Sequence, residues 1–461
     1  MPSTQETIAA VATPAGQGGI GIIRVSGPLS LTILKRVFKP RRNLQTFQSH
    51  RLHLGDFHDP AGGKILDEVL VSFMKGPHSY TREDLVEINS HSGYFLVFKI
   101  LQVVLAQGAR LARPGEFTLR AYLNGRIDLT QAEAVVDLIN ARSDKGLQLA
   151  SRQIRGAFRE EVEVLMQKAV DILARVEAAI DFPDDVQGMV EEDEMAAEIE
   201  RDLTGPLAAA FAAQAKNRVW VEGVKTVIAG RVNVGKSSLL NRLLNKQRAI
   251  VTPTPGTTRD AIESTVTIDG VPLCLVDTAG LRRVDDEVEK MGIHLTEQNV
   301  SEADFLLVVI DQSRALNNDD YCILDRAAGR NALVVVNKID LPPAMGDEAL
   351  EKALAGFPSV RISALTGDGM AGLTAGIVAG ILGDEVNVLT ARMASRVRSG
   401  KAMSEAGRFF ADAAERLSER APMEIVAVEL KSGMDALGEI TGETTTEDVL
   451  DSIFSQFCLG K

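Results

Sequence analysis

The stretch GRVNVGKSSLLNRLLN, residues 230 to 245, constrains this chain more than any other. The apolar, β-branched run VKTVIAG before it reads as a buried strand. After it, Leu239, Leu240, Leu243 and Leu244 recur on one helical face. Gly230, Gly235, Lys236 and Ser237 thus fit G-x-x-x-x-G-K-S at a strand-to-helix turn, the setting of a phosphate-binding loop. Backbone N–H groups of such a turn and the helix N-terminus wrap anionic oxygens. Val234, Gly235, Lys236, Ser237 and Ser238 are expected on the phosphates, with Lys236 reaching the outer ones and Ser237 ligating magnesium. An ordinary glycine-rich turn would not need both the strand and the helix.

Four further signals follow in order. TPGTTRD, Thr254 to Asp260, supplies threonines where a switch loop offers oxygen to the magnesium site, with Thr258 as the expected ligand. DTAGLR begins at the end of the strand PLCLV, so Asp277 can hold the metal's water shell. Thr278 follows it, and the Gly280 N–H can meet a γ-phosphate. NKID ends the strand ALVVV, placing Asn337, Lys338 and Asp340 in one loop. A carboxylate at Asp340 accepts paired hydrogen bonds from guanine that adenine does not offer. SAL ends the strand SVRI, where Ser363 and Ala364 offer a backbone N–H to the guanine carbonyl. Each motif alone is weak, but the ordered set at strand ends predicts a domain that binds GTP with magnesium.

Catalysis is less direct. Where Ras-like enzymes carry a water-orienting glutamine after D-T-A-G, this chain has Leu281. Asn233 and oxygen-rich positions within Val251 to Thr258 can together hold a monovalent cation beside the phosphates. Glu289 is a candidate for orienting water, although its spacing by itself favours a surface helix carboxylate.

Around this segment the pattern changes. Residues 1 to about 119 alternate short strands with loops, and a helix is expected over Tyr94 to Gln107. Arg24, in the strand IGIIRVS, shares a face with Ile20 and Ile22 while Ile23 and Val25 face the other way. Glu87 lies between Val86 and Ile88 in a second strand. A charge amid apolar neighbours needs a partner, so Arg24 and Glu87 either satisfy each other or hold a ligand. From Tyr122 to Phe211 and after Gly383 the periodicity is helical, with Leu129, Ala132, Val136 and Ile139 on one face. Strands are expected near 224–229, 263–268, 272–276, 305–310, 332–336 and 359–362, an α/β unit inserted between helical stretches. Arg142, Lys145, Arg152, Arg155 and Arg159 form either a basic face or an ordinary solvated one.

At 461 residues the chain has room for about three domains, and its net charge of −13 excludes nucleic-acid binding by bulk attraction. Three scattered cysteines argue against disulfides and zinc. Cys274 and Cys322 read as packing residues, and Cys458 near the chain end as a docking anchor or a reactive thiol. With no long apolar run and no basic leader pattern, a cytoplasmic protein without membrane contact is expected.

The motifs above, together with TIAAVATPAGQGGIGIIRVSGP, RPGEFTLRAYLNGRIDLTQAEAVVDLI, DTAGLRRVDDEVEKMGI and the terminal FCLGK, resemble the bacterial tRNA-modification GTPase family MnmE (TrmE) from end to end. The resemblance implies a folate-binding-like, dimerising α+β domain over 1–120. It also implies an all-α domain in two segments, 121–216 and 384–461, around a Ras-like α/β GTPase domain over 217–383. It further implies a homodimer acting with the FAD-dependent MnmG (GidA), which builds an aminomethyl-type group on carbon 5 of the tRNA wobble uridine. Hydrolysis is expected to depend on potassium held by Asn233, Thr252, Thr254 and Thr257, with Glu289 orienting water. Arg24, Glu87 and Arg126 would line a pocket for 5-formyltetrahydrofolate or a related folate, with Cys458 and Lys461 of the C-x-G-K ending beside it. Arg126 stands where some members have lysine. The competing reading is a GTP-switched ribosome-assembly factor, disfavoured because no KH-type module and only one phosphate loop are visible.

Overall fold

The computed structural model describes residues 6–14, 16, 18–42, 44–182, 191–246, 263–277, 303–383, 398–455, 457 and 459–461. They form two compact units. One comprises 1–136, 153–164 and 437–461, the other 137–152 and 165–436. Helical residues fall in both units.

The first unit is built on a sheet of strands β1 (Ile8–Val11), β2 (Ile20–Ser26), β3 (Phe38–Pro40), β4 (Arg51–Asp59), β5 (Lys64–Met74), β6 (Leu85–His91) and β7 (Arg110–Leu111). Their order is β3-β4-β5-β6-β2-β1-β7, antiparallel except where β1 meets β7. Side chains alternate across a strand, so Ile23, Val25, Val86 and Ile88 join a core with the helices Ser30–Val37 and Tyr94–Ala106. Arg24 and Glu87 point from the opposite face. That face is less apolar in its surroundings than the sequence suggests, because Ile20 is 62% exposed. The last helix, Glu447–Phe454, packs Leu450 and Phe454 against Leu119 and Leu129.

The second unit holds a sheet of β8 (Val224–Ala229), β9 (Glu263–Ile268), β10 (Val271–Asp277), β11 (Phe305–Asp311), β12 (Ala332–Asn337) and β13 (Ser359–Arg361). Its order is β13-β12-β11-β8-β10-β9, parallel except at β9. Strand β11 is buried along its whole length, as a parallel strand covered on both faces must be. Phe305, Leu307 and Val309 enter one core with Leu239, Leu243 and Leu373, whereas Leu306, Val308 and Ile310 enter the other with Leu324 and Leu350. The strand order reverses beside β8, which opens a crevice at the carboxyl ends of β8 and β11.

Helices on either side of this α/β segment in the chain pack on one another. Arg398–Ser418 lies against Glu192–Ile199 and Gly205–Glu222, and Gln214 Nε2 donates to Ser399 Oγ at 2.6 Å. The α/β segment is thus an insertion in a helical framework. One apolar position departs from expectation: Ile139 is 48% exposed. In the helix Leu129–Asn140 the fully buried positions end with Ala134 and packing on the core continues through Val136, so the periodicity at Ile139 outlasts the contact.

Candidate functional site

The G-x-x-x-x-G-K-S turn lies at the carboxyl end of β8, at the mouth of the crevice. Val234 is buried and anchors the loop, while Asn233, Ser237 and Ser238 are exposed. The helix Lys236–Lys246 begins here, so its first N–H groups and positive dipole end face the loop. Lys236 Nζ donates to the Gly230 and Arg231 carbonyls at 2.6 and 2.8 Å. The ammonium thereby draws two carbonyls at the start of the loop together. Gly235 has φ +101°, and a Cβ there would lie 2.3 Å from Asn337 Nδ2. Gly235→Ala is therefore expected to weaken GDP binding at least about tenfold by displacing the Asn337 loop, as measured by fluorescent-nucleotide titration.

Two consecutive residues of NKID fasten two consecutive carbonyls of the phosphate loop. Asn337 Nδ2 donates to Val234 O at 2.8 Å and Lys338 Nζ donates to Asn233 O, also at 2.8 Å. On its other side Asn337 Oδ1 accepts from the Ala364 N–H at 2.9 Å. That N–H, expected on the guanine carbonyl, here braces one nucleotide loop against another. Ser363 is buried and its Oγ donates to Asp340 Oδ1 at 2.5 Å, so it orients an exposed carboxylate. Arg242, from the helix after the phosphate loop, donates to the Ala364 and Leu365 carbonyls. The residues present fit a guanine nucleotide: a helix N-terminus behind a loop braced by Asn337 and Lys338, and an oriented carboxylate beside it.

A residue that the sequence reading passed over belongs to the same cluster. Asp311 ends β11 in register with Asn337, with only 1% of its side chain exposed. Burial raises its pKa, but Lys338 and the Ser313 hydroxyl and N–H outweigh burial and hold the carboxyl below its usual range. A polar residue closing a wholly apolar strand, as Asp277 and Asn337 also do, was the signal that could have found it.

In the other unit, Arg24 and Glu87 do satisfy each other. They stand in register across β2 and β6, with Arg24 Nε and Nη2 donating to Glu87 Oε1 at 3.1 and 2.8 Å. The remaining Nη1 donates to the Gly460 carbonyl at 3.2 Å, which seats the chain end in the same place. Phe117 N–H donates to Lys461 O at 3.2 Å. Gly460 has φ +91°, and a Cβ would lie 2.3 Å from Val11 O, so the ending tolerates no side chain there. Tyr80, which the sequence reading did not single out, collects both arginines. The Arg24 and Arg126 guanidinium carbons lie 5.4 and 4.7 Å from its ring centroid. Arg126 also donates to the Tyr80 carbonyl at 2.8 Å. Behind this wall the buried Arg120 bonds Glu83, Glu116 and the Glu6 carbonyl, holding the loop that carries Tyr80. Arg24, Glu87, Arg126 and the chain end are thus brought together.

Thr252, Thr254, Thr257, Thr258, Thr278, Gly280, Leu281, Glu289 and Cys458 lie outside the described residues. So does the side chain of Asp277, although β10 reaches it as expected. Cys274 is buried as expected, but Cys322 is exposed on the helix Asn318–Ala327 and does not pack. The basic series lies at exposed positions, and three of its members have partners within the chain. Arg142 donates to Thr265 Oγ1 and Cys274 Sγ, Lys145 sits 4.0 Å over the Trp220 ring, and Arg159 pairs with Glu163. Among the described residues no helix is long and apolar enough to cross a membrane.

Comparison with known proteins places both units in one family. A family model described as "GTP-binding protein TrmE N-terminus" matches residues 7–126, and one described as "MnmE helical domain" matches 129–458. The tRNA modification GTPase MnmE of Geobacter sulfurreducens is 45% identical over 460 residues, covering 99% of each chain. That of Geotalea uraniireducens is 44% identical over 458 residues, again covering 99% of each. That of Natranaerobius thermophilus is 41% identical over 461 residues, covering 99% of this chain and all of the relative. The chain belongs to the MnmE family. An MnmE-family chain is a GTPase, so the nucleotide that the phosphate and N-K-I-D loops are built for is GTP. The family match also spans the two chain segments that flank the α/β insertion.

Proposed function

We propose that this protein hydrolyses GTP in a cycle that serves modification of the tRNA wobble uridine at carbon 5, as a homodimer working with an FAD-dependent MnmG-type partner in the cytoplasm. The observation that carries this reading is near-complete coverage by tRNA modification GTPases, joined to a phosphate loop clamped by Asn337 and Lys338. In this reading Lys236 and the helix N-terminus hold the phosphates, Asp340 selects guanine, and Ser237, with Thr258, holds magnesium, which balances phosphate charge when bound. Asn233, with Thr252, Thr254 and Thr257, holds potassium, and Glu289 orients the attacking water. Arg24, Glu87 and Arg126 bind a folate one-carbon donor, with Lys461 and Cys458 at its edge. The domain plan 1–120, 121–216, 217–383 and 384–461 goes with it.

Exchanging potassium for sodium is expected to slow phosphate release at least about tenfold, because no glutamine follows D-T-A-G to carry the water. Equal rates in the two salts would remove the potassium assignment. Mass analysis of wobble nucleosides tests the wider role, in a strain lacking the protein and complemented with the intact chain. Restored C5-modified uridine supports it. Unmodified uridine with normal GTP turnover, together with tight binding to ribosomal subunits, would favour a ribosome-assembly switch.

A further inference from the structure

We propose that Asp311 is a positioning residue for the nucleotide, acting through Lys338 on the phosphate loop. The inference rests on the GTP-binding reading above and adds a residue to it. The two carboxylate oxygens of Asp311 have separate partners. Oδ1 accepts from the Ser313 N–H at 2.9 Å and the Ser313 hydroxyl at 2.6 Å, which shapes the turn after β11. Oδ2 accepts from Lys338 Nζ at 2.7 Å, and the exposed Arg314 Nε stands 3.9 Å from the same oxygen. Lys338 Nζ carries the contact on to Asn233 O in the phosphate loop. One ammonium therefore joins a buried carboxylate, the guanine loop and the phosphate loop.

Backbone conformation supports a positioning role. Asn233 and Lys338 both have positive φ, +64° and +68°, although neither is glycine. Such conformations cost free energy and persist where surrounding contacts over-determine them, as at ligand clamps. A solvated lysine would sample many rotamers, and ordering it on binding would oppose nucleotide affinity. Asp311 orders it beforehand. The register of β11 on β12, which sets Asp311 opposite Asn337, leaves the carboxylate one residue from the lysine it holds.

The separate duties of the oxygens supply a discriminating variant. Asp311→Asn keeps an acceptor for Ser313 but turns an amide N–H₂ toward the lysine, removing only the outward contact. Titration of the full-length chain with fluorescent GDP and magnesium is the measurement. Asp311→Asn and Lys338→Ala are each expected to raise the dissociation constant about tenfold. The double variant should bind within about twofold of Lys338→Ala, since residues acting through one contact are not additive. Ser313→Ala, which disturbs the Oδ1 side alone, should bind like the unaltered protein. Multiplying losses in the double variant, a Ser313→Ala defect equal to Asp311→Asn, or wild-type affinity in Asp311→Asn would each overturn the proposal. Failure of the unaltered chain to bind GDP would instead overturn the GTP reading itself.

Discussion

Lys236→Ala is expected to lower GTP turnover at least about a hundredfold, the scale seen when one preorganised donor is removed from a developing negative charge. The lysine opens the helix Lys236–Lys246, and alanine is a strong helix former, so the helix itself should persist. What disappears is the ammonium that now bonds the Gly230 and Arg231 carbonyls. Two consequences follow together. The phosphates lose their closest charge, and the nucleotide-free loop loses the group around which its carbonyls converge. Phosphate release under saturating GTP, with circular dichroism to confirm the fold, measures the effect. Turnover within a few-fold of the unaltered protein would mean that this ammonium does not reach the transferred phosphate.

Arg24→Ala is expected to weaken binding of 5-formyltetrahydrofolate by about two orders of magnitude while leaving GTP turnover unchanged. A hydrogen bond from a charged group such as the Arg24 guanidinium to a bound ligand contributes about 1.5–3 kcal/mol. The Arg24 side chain is only 18% exposed, so the upper part of that range applies. Arg24 also holds the Gly460 carbonyl, so its loss should speed amide hydrogen exchange in residues 459–461. Calorimetric titration with the folate and exchange measured on the tail read the two consequences separately. Faster exchange with unchanged folate affinity would assign Arg24 to seating the chain end alone. Because Arg24 and the phosphate loop belong to different compact units, a parallel loss of GTP turnover would contradict this account.

Much of the GTP site was legible because its motifs are local. A phosphate loop is one strand, one turn and the start of one helix, and strand runs such as FLLVVI are apolar without interruption. The strands near 224–229, 263–268, 305–310 and 332–336 accordingly fall within a residue of their expected bounds. The limits of one helical face were less legible. The periodicity through Ile139 is real, but which turns of an amphipathic helix meet a partner is set by what lies opposite.

Residues whose role depends on a distant partner were ambiguous or invisible in one dimension. That Arg24 pairs with Glu87 follows only from the register of β2 on β6. Tyr80 looked like any residue in a polar turn, and Asp311 like the end of a strand. Their meaning comes from Arg126 and Lys338, which the chain brings near only after folding. The sequence by itself determined the nucleotide class and the α/β insertion, which rest on short-range spacing and hydrophobic period, and the family, which rests on resemblance from end to end. Tertiary structure alone decided which side chains share a charge, because ion pairs and loop clamps form across strands whose register no local pattern encodes.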